Sequence, residues 1–209
     1  MDVGAAYQGY SADLTRTVPV GGRFSPAQRD IYQLVRDAQA AAEHAATLGT
    51  PGRAMEDSAS ATIARGLARL GLIESPDATF DPPWADRCAR NPGPCRQSYF
   101  FYFHGVGHGI GLDVHDQTQH AGARGIAPGD AFTIEPGIYV DARRLALLAD
   151  TPKNRAFIAK MRPVIAKYDR IGVRIEDDYV ATPRGVERIT PAVREIDEIE
   201  SLMQGPQRP

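Results

Sequence analysis

The chain has 209 residues, of which 43% are hydrophobic and 24% are charged, and its formal net charge is −2. This length and composition are typical of one substantial globular domain. The small net charge does not favour a surface for nucleic acid or anionic membrane, and no apolar run approaches the ~18 residues that cross a bilayer. We therefore expect no nucleic-acid partner and no membrane partner.

The chain begins directly with a predicted β-hairpin. Residues 2–7 have the pattern of a strand, and residues 12–20 alternate and are rich in β-branched residues. A turn near Gln8–Gly9 would make the two strands antiparallel. Because the strand pattern starts at once, without a polar lead-in, we expect a single domain over residues 1–209 that is incomplete on its N-terminal side.

Two helices are predicted next. Ser25 provides an N-cap, Pro26 suits the first helical position and Gln28 completes a capping box. The apolar period that follows predicts a helix, and Gly49 is its expected stop. A second helix is expected from about Met55 to Leu70, ending at Gly71.

Residues 74–98 predict an irregular loop or an insertion, because they contain several prolines and show no clear period. The only tryptophan, Trp84, lies here and is either a substrate platform or, more commonly, a residue that pins the loop to the body. Cys88 and Cys95 lack the two-residue spacing of a zinc knuckle. Two free thiols and a local disulfide both fit, and a disulfide would indicate an oxidising compartment.

The most informative stretch is the histidine segment, residues 104–116. It reads His104-Gly-Val-Gly-His108-Gly-Ile-Gly-Leu-Asp-Val-His115-Asp, with glycine at every second position from Gly105 to Gly111. In an extended chain alternate residues point the same way, so one face would be almost bare backbone. Glycine in a strand often marks the close approach of a ligand or another backbone. Histidines beside such a gap predict a site.

The C-terminal part predicts strands with two further helices. Residues 131–140 have the pattern of a strand that contains a turn, and residues 172–182 that of a strand that ends in a turn at Pro183–Gly185. Helices are expected over residues 153–168 and 195–203. Strands that surround helices in this way predict an α+β domain.

Four acidic residues of the predicted strands have apolar or small residues near them in the sequence. They are Asp2, Asp13, Glu135 and Glu176. Burying an ionised carboxylate is costly unless it is paired or binds a metal, and neighbouring carboxylates repel unless a cation lies between them. Ion pairs are the alternative interpretation: Arg174 with either glutamate, and Arg16 with Asp13, which could equally cap a turn.

Taken together, the four acids and a histidine of the histidine segment make a hard, oxygen-rich ligand set. Such a set suits Mn²⁺, Co²⁺, Fe²⁺ or Zn²⁺ better than a soft metal. Four negative charges match two divalent cations, and two ions ~3.5–4 Å apart can hold a bridging hydroxide and clamp an oxyanion. The residues therefore predict a dinuclear metal site.

Five motifs carry a resemblance to a known family. They are Asp2-Val-Gly, Ser-Ala-Asp13-Leu-Thr-Arg-Thr, the histidine segment, Thr133-Ile-Glu135-Pro-Gly-Ile-Tyr139 and Val173-Arg174-Ile-Glu176-Asp-Asp. From Asp2 to about Met203 the chain resembles the proline-specific branch of the pita-bread metallopeptidases, the Xaa-Pro aminopeptidases and prolidases. The resemblance implies an α+β pita-bread fold, with a curved antiparallel sheet and flanking helices, truncated at its N-terminal side.

The resemblance also implies two divalent ions, most often manganese in this family. Asp2 would bind one ion, and Asp13 and Glu176 would bridge both. His108 and Glu135 would hold the other ion. Glu135 would also carry the proton from the bridging water to the leaving nitrogen.

Other residues would act around the metals. By resemblance, His104 and His115 would contact the substrate and steady the tetrahedral intermediate, and Arg174 would orient carboxylates. Tyr139 and Thr133 are weaker candidates for support. His104 and the Arg-Ile-Glu-Asp-Asp run favour the proline-specific branch over methionine aminopeptidases, and the full ligand set argues against creatinase and the non-enzymatic pita-bread proteins.

The implied function is hydrolysis of the Xaa-Pro bond in peptides with proline at the second position. A prolidase acting on Xaa-Pro dipeptides shares the motifs and stays open, as does a non-catalytic peptide-binding or scaffold protein or an inactive fragment. Family members carry structure before the first ligand, so we expect exposed apolar surface along residues 2–7. We expect a cytoplasmic location, or a periplasmic or secreted one if Cys88 and Cys95 pair, and a homodimer stays open.

Overall fold

The computed structural model describes residues 1–82, 95–116 and 124–205. Its elements in chain order are the strands β1 (Asp2–Val3), β2 (Ala6–Tyr7), β3 (Tyr10–Ser11) and β4 (Leu14–Thr15), the helices α1 (Pro26–Ala45) and α2 (Arg53–Leu70), a 3-10 helix Gln97–Phe100, the strands β5 (Ala131–Ile134) and β6 (Gly137–Val140), a 3-10 helix Ala142–Leu147, the helix α3 (Pro152–Lys167), the strands β7 (Ile171–Arg174), β8 (Asp177–Thr182) and β9 (Gly185–Arg188), and the helix α4 (Ile196–Gln204). The α+β prediction is confirmed, as are the helices predicted at 153–168 and 195–203. Trp84 and Cys88 lie outside the described residues.

The N-terminal hairpin forms with the predicted turn but not with the predicted strand lengths. β1 pairs with β4 and β2 with β3, both antiparallel and in one continuous register. Gln8 and Gly9 have φ angles of 49° and 87°, as a two-residue hairpin turn requires. The expectation of strands over 2–7 and 12–20 is wrong in extent. The ladder breaks where a Cβ on Gly4 would lie 1.8 Å from the Ala12 carbonyl oxygen.

The first helix begins as predicted, and α2 begins at Arg53, slightly before the predicted start near Met55. The Ser25 Oγ accepts from the Gln28 amide at 3.3 Å, and the Gln28 Oε1 accepts from the Ser25 amide at 2.8 Å, so the capping box is confirmed. α2 ends at Gly71, which adopts the left-handed conformation. Gly49 is not the stop of α1, which ends at Ala45. Gly49 instead belongs to the following loop, where its amide donates to the Ile126 carbonyl.

The C-terminal strands form two antiparallel groups, β5-β8-β9 and β6-β7. The turn predicted within residues 131–140 is present, because Pro136, which has no amide hydrogen, separates β5 from β6. The single strand expected over 172–182 is wrong, since it divides into β7 and β8. The Glu176 amide between them donates to the Thr15 carbonyl of β4 at 3.1 Å. The β-structure therefore changes partner there.

One register runs through the break between β5 and β6 and the break between β7 and β8. Ala131 faces Val180 across β5 and β8, and Gly137 faces Arg174 across β6 and β7. Continuing that register through the gap places Glu135 opposite Glu176. Cross-strand neighbours in such a position lie close enough for their side chains to interact. The fold thus brings two acids face to face that are far apart in sequence.

The core lies between the helices and the strands. Its largest fully buried side chains include Tyr32, Ile63, Leu67, Phe132, Phe157 and Tyr168. No helix in the described ranges is long and apolar enough to cross a membrane. Cys95 is buried and takes part in a disulfide, so the free-thiol alternative is not the one found.

The expected apolar exposure along the first strands is confirmed. Met1, Val3 and Tyr7 are 76%, 55% and 77% exposed. An apolar groove beside them is lined in part by Leu14 and Met203. Both residues of β1 and both residues of β2 are exposed, which is unusual for strands that carry large apolar side chains.

Candidate metal centre

Residues 106–110 of the histidine segment run antiparallel beside β5, and the segment then turns back so that Gly109 pairs with Asp116. The Glu135 amide donates to the Val106 carbonyl at 2.7 Å, and the Thr133 amide donates to the His108 carbonyl at 2.9 Å. A Cβ on Gly107 would lie 2.0 Å from the Thr133 carbonyl oxygen. Glycine is therefore required here by the close approach of another backbone. The predicted extended conformation is confirmed for residues 106–110 and is wrong for residues 111–115, which bend. The close approach of β5 explains the absence of a side chain at Gly107.

The structure brings all five predicted metal ligands together. Their side-chain atoms form two groups, each with its ligand atoms within 4.8 Å of one another. The first group is His108, Glu135 and Glu176, and the second is Asp2, Asp13 and Glu176. Because Glu176 belongs to both, the two groups form one continuous cluster.

The imidazole of His108 lies at the middle of this cluster. Its Nε2 is 3.4 Å from the Asp13 Oδ2, 3.4 Å from the Glu135 Oε1 and 3.7 Å from the Glu176 Oε1. Its Nδ1 lies 3.0 Å from the Gly109 carbonyl oxygen, an acceptor that in the neutral imidazole keeps the proton on Nδ1 and leaves the lone pair on Nε2.

The Nε2 atom is buried and has no hydrogen-bond partner among the described residues. Buried polar atoms are normally satisfied, so such an atom requires an explanation. A lone pair that faces three carboxylates is well suited to a cation, and oxygen-rich sets with one imidazole suit divalent metals. The donor set therefore fits the metals that the sequence indicates.

Two hydroxyl side chains hold the cluster in place. The Thr15 Oγ1 donates to the Glu176 Oε2 at 2.7 Å. The Thr133 Oγ1 accepts from the His108 amide at 3.1 Å and lies 3.5 Å from the Glu135 Oε1. Thr133 was a weaker candidate for support, and Thr15 was missed. Thr15 lies two residues after Asp13, on the same face of the strand, and this spacing could have indicated its role.

Arg174 connects the cluster to the aromatic side of the site. Its NH1 lies 3.2 Å from the Glu135 Oε2, and its Nε donates to the Tyr139 hydroxyl at 2.9 Å. The His104 Nε2 is 3.0 Å from the same hydroxyl. The Arg174–Glu135 ion pair, considered as an alternative to metal binding, therefore exists beside the cluster and uses the carboxylate oxygen that His108 does not face.

The two other histidines occupy different places. His104 stands outside the candidate ligand groups within the described ranges. His115 is exposed, yet it forms a third group with Asp13 and His108, and its ring centroid is 4.1 Å from that of His108. Their predicted substrate-facing roles stay predictions.

The second alternative, an ion pair between Arg16 and Asp13, is wrong. Arg16 pairs with Asp177, whose Oδ1 lies 2.6 Å from its NH2. Asp13 is held from a different direction, because its backbone amide donates to the Asp178 Oδ2 at 3.1 Å. Sequence reasoning assigned no role to Asp177 or Asp178. Both are buried acids in an apolar strand, the same signal that singled out Glu176.

The carboxylates resist ionisation together. Burial, with Glu176 and Asp2 nearby, raises the pKa of Asp13 to about 6. Burial and Glu176 likewise raise the pKa of Glu135 to about 7. Burial lowers the pKa of His108, but its contacts with Glu176 and the Gly109 carbonyl outweigh this and raise it to about 9. Clustered acids of this kind keep protons unless a cation replaces them.

The fold and the site together define a class of protein. It is an α+β domain in which the strands bring clustered carboxylates and one imidazole together at a candidate metal centre. The model of metallopeptidase family M24 matches residues 1–183, and the chain belongs to this family. The Xaa-Pro aminopeptidases of Escherichia coli and Haemophilus influenzae are 34% and 35% identical to it. Each alignment covers 97% of this chain, and 40% and 41% of those proteins.

Solved structures agree with this assignment. The aminopeptidase PepP of Pseudomonas aeruginosa is 33% identical with a TM-score of 0.73, over 97% of this chain and 40% of that one. Zinc-substituted aminopeptidase P of E. coli in complex with product is 32% identical with a TM-score of 0.72, over 100% and 41%. The pita-bread fold and the proline-specific resemblance are confirmed. The chain spans about 40% of the length of these relatives.

Proposed function

We propose that this chain carries the catalytic centre of a metal-dependent aminopeptidase that releases the first residue of peptides with proline at the second position. The observation that carries the proposal is the buried His108 Nε2, which has no hydrogen-bond partner among the described residues. It lies 3.4 Å from the Asp13 Oδ2 and 3.4 Å from the Glu135 Oε1. The relatives named Xaa-Pro aminopeptidases support the substrate class.

Two divalent ions fit the donor set, with Mn²⁺ as first candidate and Co²⁺, Zn²⁺ or Fe²⁺ as substitutes. Asp2 would hold one ion, His108 and Glu135 the other, and Asp13 and Glu176 both. The membership of Glu176 in both ligand groups supports this division, as does the short distance from Asp13 to His108. When bound, such ions activate water and polarise a carbonyl.

Glu135 is the proposed proton carrier. A carboxylate positioned beside the centre can accept a proton from the attacking water and return it to the leaving group. Arg174 holds one carboxylate oxygen, so the other stays directed at the centre. Glu135 would then deliver the proton to the leaving proline nitrogen, which must be protonated before it departs.

The substrate would be held by the histidines beside the centre. His104, fixed by the Tyr139 hydroxyl at 3.0 Å, and the exposed His115 would donate hydrogen bonds to the peptide. Donors that are already oriented stabilise charge developing on the scissile carbonyl oxygen without reorganisation. The substrate partner is thus a short peptide with a free N-terminus.

The test is release of the N-terminal residue from an Xaa-Pro-Yaa tripeptide by the 209-residue chain. We expect release with Mn²⁺, none after chelation, and recovery when Mn²⁺ is restored. An Xaa-Ala-Yaa tripeptide is the matched control and should be a poor substrate. Cleavage of an Xaa-Pro dipeptide alone would indicate a prolidase. A chain that contains metal but cleaves neither peptide would favour the non-catalytic alternative.

Metal binding should strengthen as the pH rises. The pKa of Asp13 is raised to about 6 and that of Glu135 to about 7, so below these values both acids hold protons that a cation must displace. We expect Mn²⁺ to bind at least ~10-fold more tightly at pH 8 than at pH 6, with proton release. Calorimetric titration in buffers of different ionisation enthalpy measures both quantities. Equal affinity at the two pH values would contradict the assignment of these ligands.

A further inference from the structure

We propose that Glu56 of α2 is a positioning residue for this centre, acting through the backbone of the histidine segment, an inference that rests on the proposed function. The Glu56 Oε2 accepts a hydrogen bond from the Val106 amide at 2.7 Å. Val106 lies midway between His104 and His108, and no resemblance or motif in the sequence drew attention to Glu56.

The carboxylate of Glu56 is itself held in position. The Ser60 Oγ, one helical turn further along α2, donates to the Glu56 Oε1 at 2.8 Å. The buried Tyr102 directs its hydroxyl at the Oε2 from 3.5 Å. One oxygen is therefore anchored on the helix, and the other is presented to the histidine segment. A hydrogen bond from an amide to an ionised carboxylate is stronger than one between neutral groups.

Val106 connects Glu56 to the proposed proton carrier. Its amide is held by Glu56, and its carbonyl accepts from the Glu135 amide at 2.7 Å. Two consecutive hydrogen bonds thus join α2, the histidine segment and the backbone of Glu135. This connection contributes to the position of His108 relative to Glu135, together with the two hydrogen bonds between His108 and Thr133.

Glycine makes the connection necessary. Gly105 and Gly107 flank Val106, and glycine leaves the backbone more conformational freedom than any other residue. Gly107 cannot be replaced without a clash with the Thr133 carbonyl. No side chain at this position can therefore restrict the backbone conformation of the segment. Val106 is buried, and its amide would be left unsatisfied without Glu56. A shift of the segment follows, and small misplacements of catalytic groups are costly in rate.

The experiment compares Glu56→Ala and Glu56→Gln with Asp57→Asn, a change of the exposed neighbouring acid on the same helix. Amide hydrogen exchange of Val106, followed by NMR, should be at least ~10-fold faster in Glu56→Ala. Glu56→Gln keeps an acceptor oxygen, so its Val106 amide should exchange within ~3-fold of the unchanged chain. Asp57→Asn should leave the exchange rate unaltered.

The effects of the variants on kcat and on Mn²⁺ affinity should follow the same order as their effects on the Val106 exchange rate. In Glu56→Ala we expect kcat to fall ~10–100-fold and the affinity for Mn²⁺ to fall ~10-fold, the range found when groups supporting a metal site are removed. KM should change little, and Glu56→Gln should restore most of the kcat. An unaltered Val106 exchange rate in Glu56→Ala would overturn the proposal, and so would a kcat in Glu56→Gln as low as in Glu56→Ala.

The two proposals can fail separately. If the unchanged chain binds Mn²⁺ but cleaves no Xaa-Pro peptide, the proposed function fails. The Val106 exchange rate and the Mn²⁺ affinity of the Glu56 variants still decide the positioning role, because neither depends on turnover. Equal Mn²⁺ affinity in Glu56→Ala and Asp57→Asn would overturn that role even in an active enzyme.

Discussion

Replacing Glu135 by glutamine is expected to lower kcat for an Xaa-Pro-Yaa peptide by about 10³-fold, since proton transfer by a positioned carboxylate contributes ~10²–10⁴-fold. Glutamine keeps the size of the side chain and one acceptor oxygen, but it cannot accept and return a proton. Arg174, 3.2 Å from the Glu135 Oε2, should still orient it. The loss is therefore expected in kcat and not in substrate binding.

Steady-state kinetics at saturating Mn²⁺, with metal content measured for each variant, provide the test. Glu198→Gln, a change of an exposed glutamate on α4, is the matched control and should behave like the unchanged chain. Because Glu135 is also a proposed ligand, the comparison is made at equal metal occupancy. A fully loaded Glu135→Gln variant within ~10-fold of the unchanged chain would refute the proton-carrying role, given the magnitudes usual for such groups.

Asp177→Asn is expected to be the most destabilising single charge change in the described part of the chain. Asp177 is fully buried, and its oxygens lie 2.6 Å from Arg16, 3.2 Å from Arg188 and 3.1 Å from Arg194. Removing one partner of a buried ion pair costs about 3–5 kcal/mol, because the remaining charges stay buried without compensation. The free energy of unfolding should fall by that amount.

Urea denaturation at neutral pH measures the change. Asp57→Asn, which breaks an exposed pair with Arg53 at 3.5 Å, should cost less than about 1 kcal/mol. The pKa of Asp177 is lowered below its usual range, because hydrogen bonds and charge from Arg16 outweigh the opposing effect of burial. Its contribution is therefore complete above the ordinary aspartate pKa of ~4 and is lost as the pH falls through the lower folded value. Equal losses in the two variants would contradict this account.

The set of candidate metal ligands could be predicted because the types of the residues indicate their chemistry. Glu135 and Glu176 are acids with apolar residues near them on both sides in the sequence, and His108 lies among glycines. Such residues are too costly to bury without a partner, so their presence alone indicates a site. Asp177 gives the same signal but is satisfied by arginines, and the sequence cannot distinguish these outcomes because the partners are distant along the chain.

Strand boundaries could not be predicted to the same standard. The alternation of residues 173–176 does not reveal that the chain changes partner at Glu176, because alternation records which face a residue occupies and not which strand it pairs with. The break arises since the Glu176 amide bonds to Thr15 of β4. Likewise, the short strands of the N-terminal hairpin reflect the approach of Gly4 to Ala12, a contact between residues on opposite strands.

The sequence by itself determined the α+β class, the capped start of α1, the turn at Gln8–Gly9 and the residue types gathered at the centre. These depend on local backbone preferences and on the cost of burying charge, both of which are properties of single residues and their near neighbours. Only the tertiary structure decided that Glu135 faces Glu176, that Arg16 holds Asp177 instead of Asp13, and that Glu56 reaches Val106. Each of these depends on distances between segments far apart in the chain, which the packing of helices and strands sets.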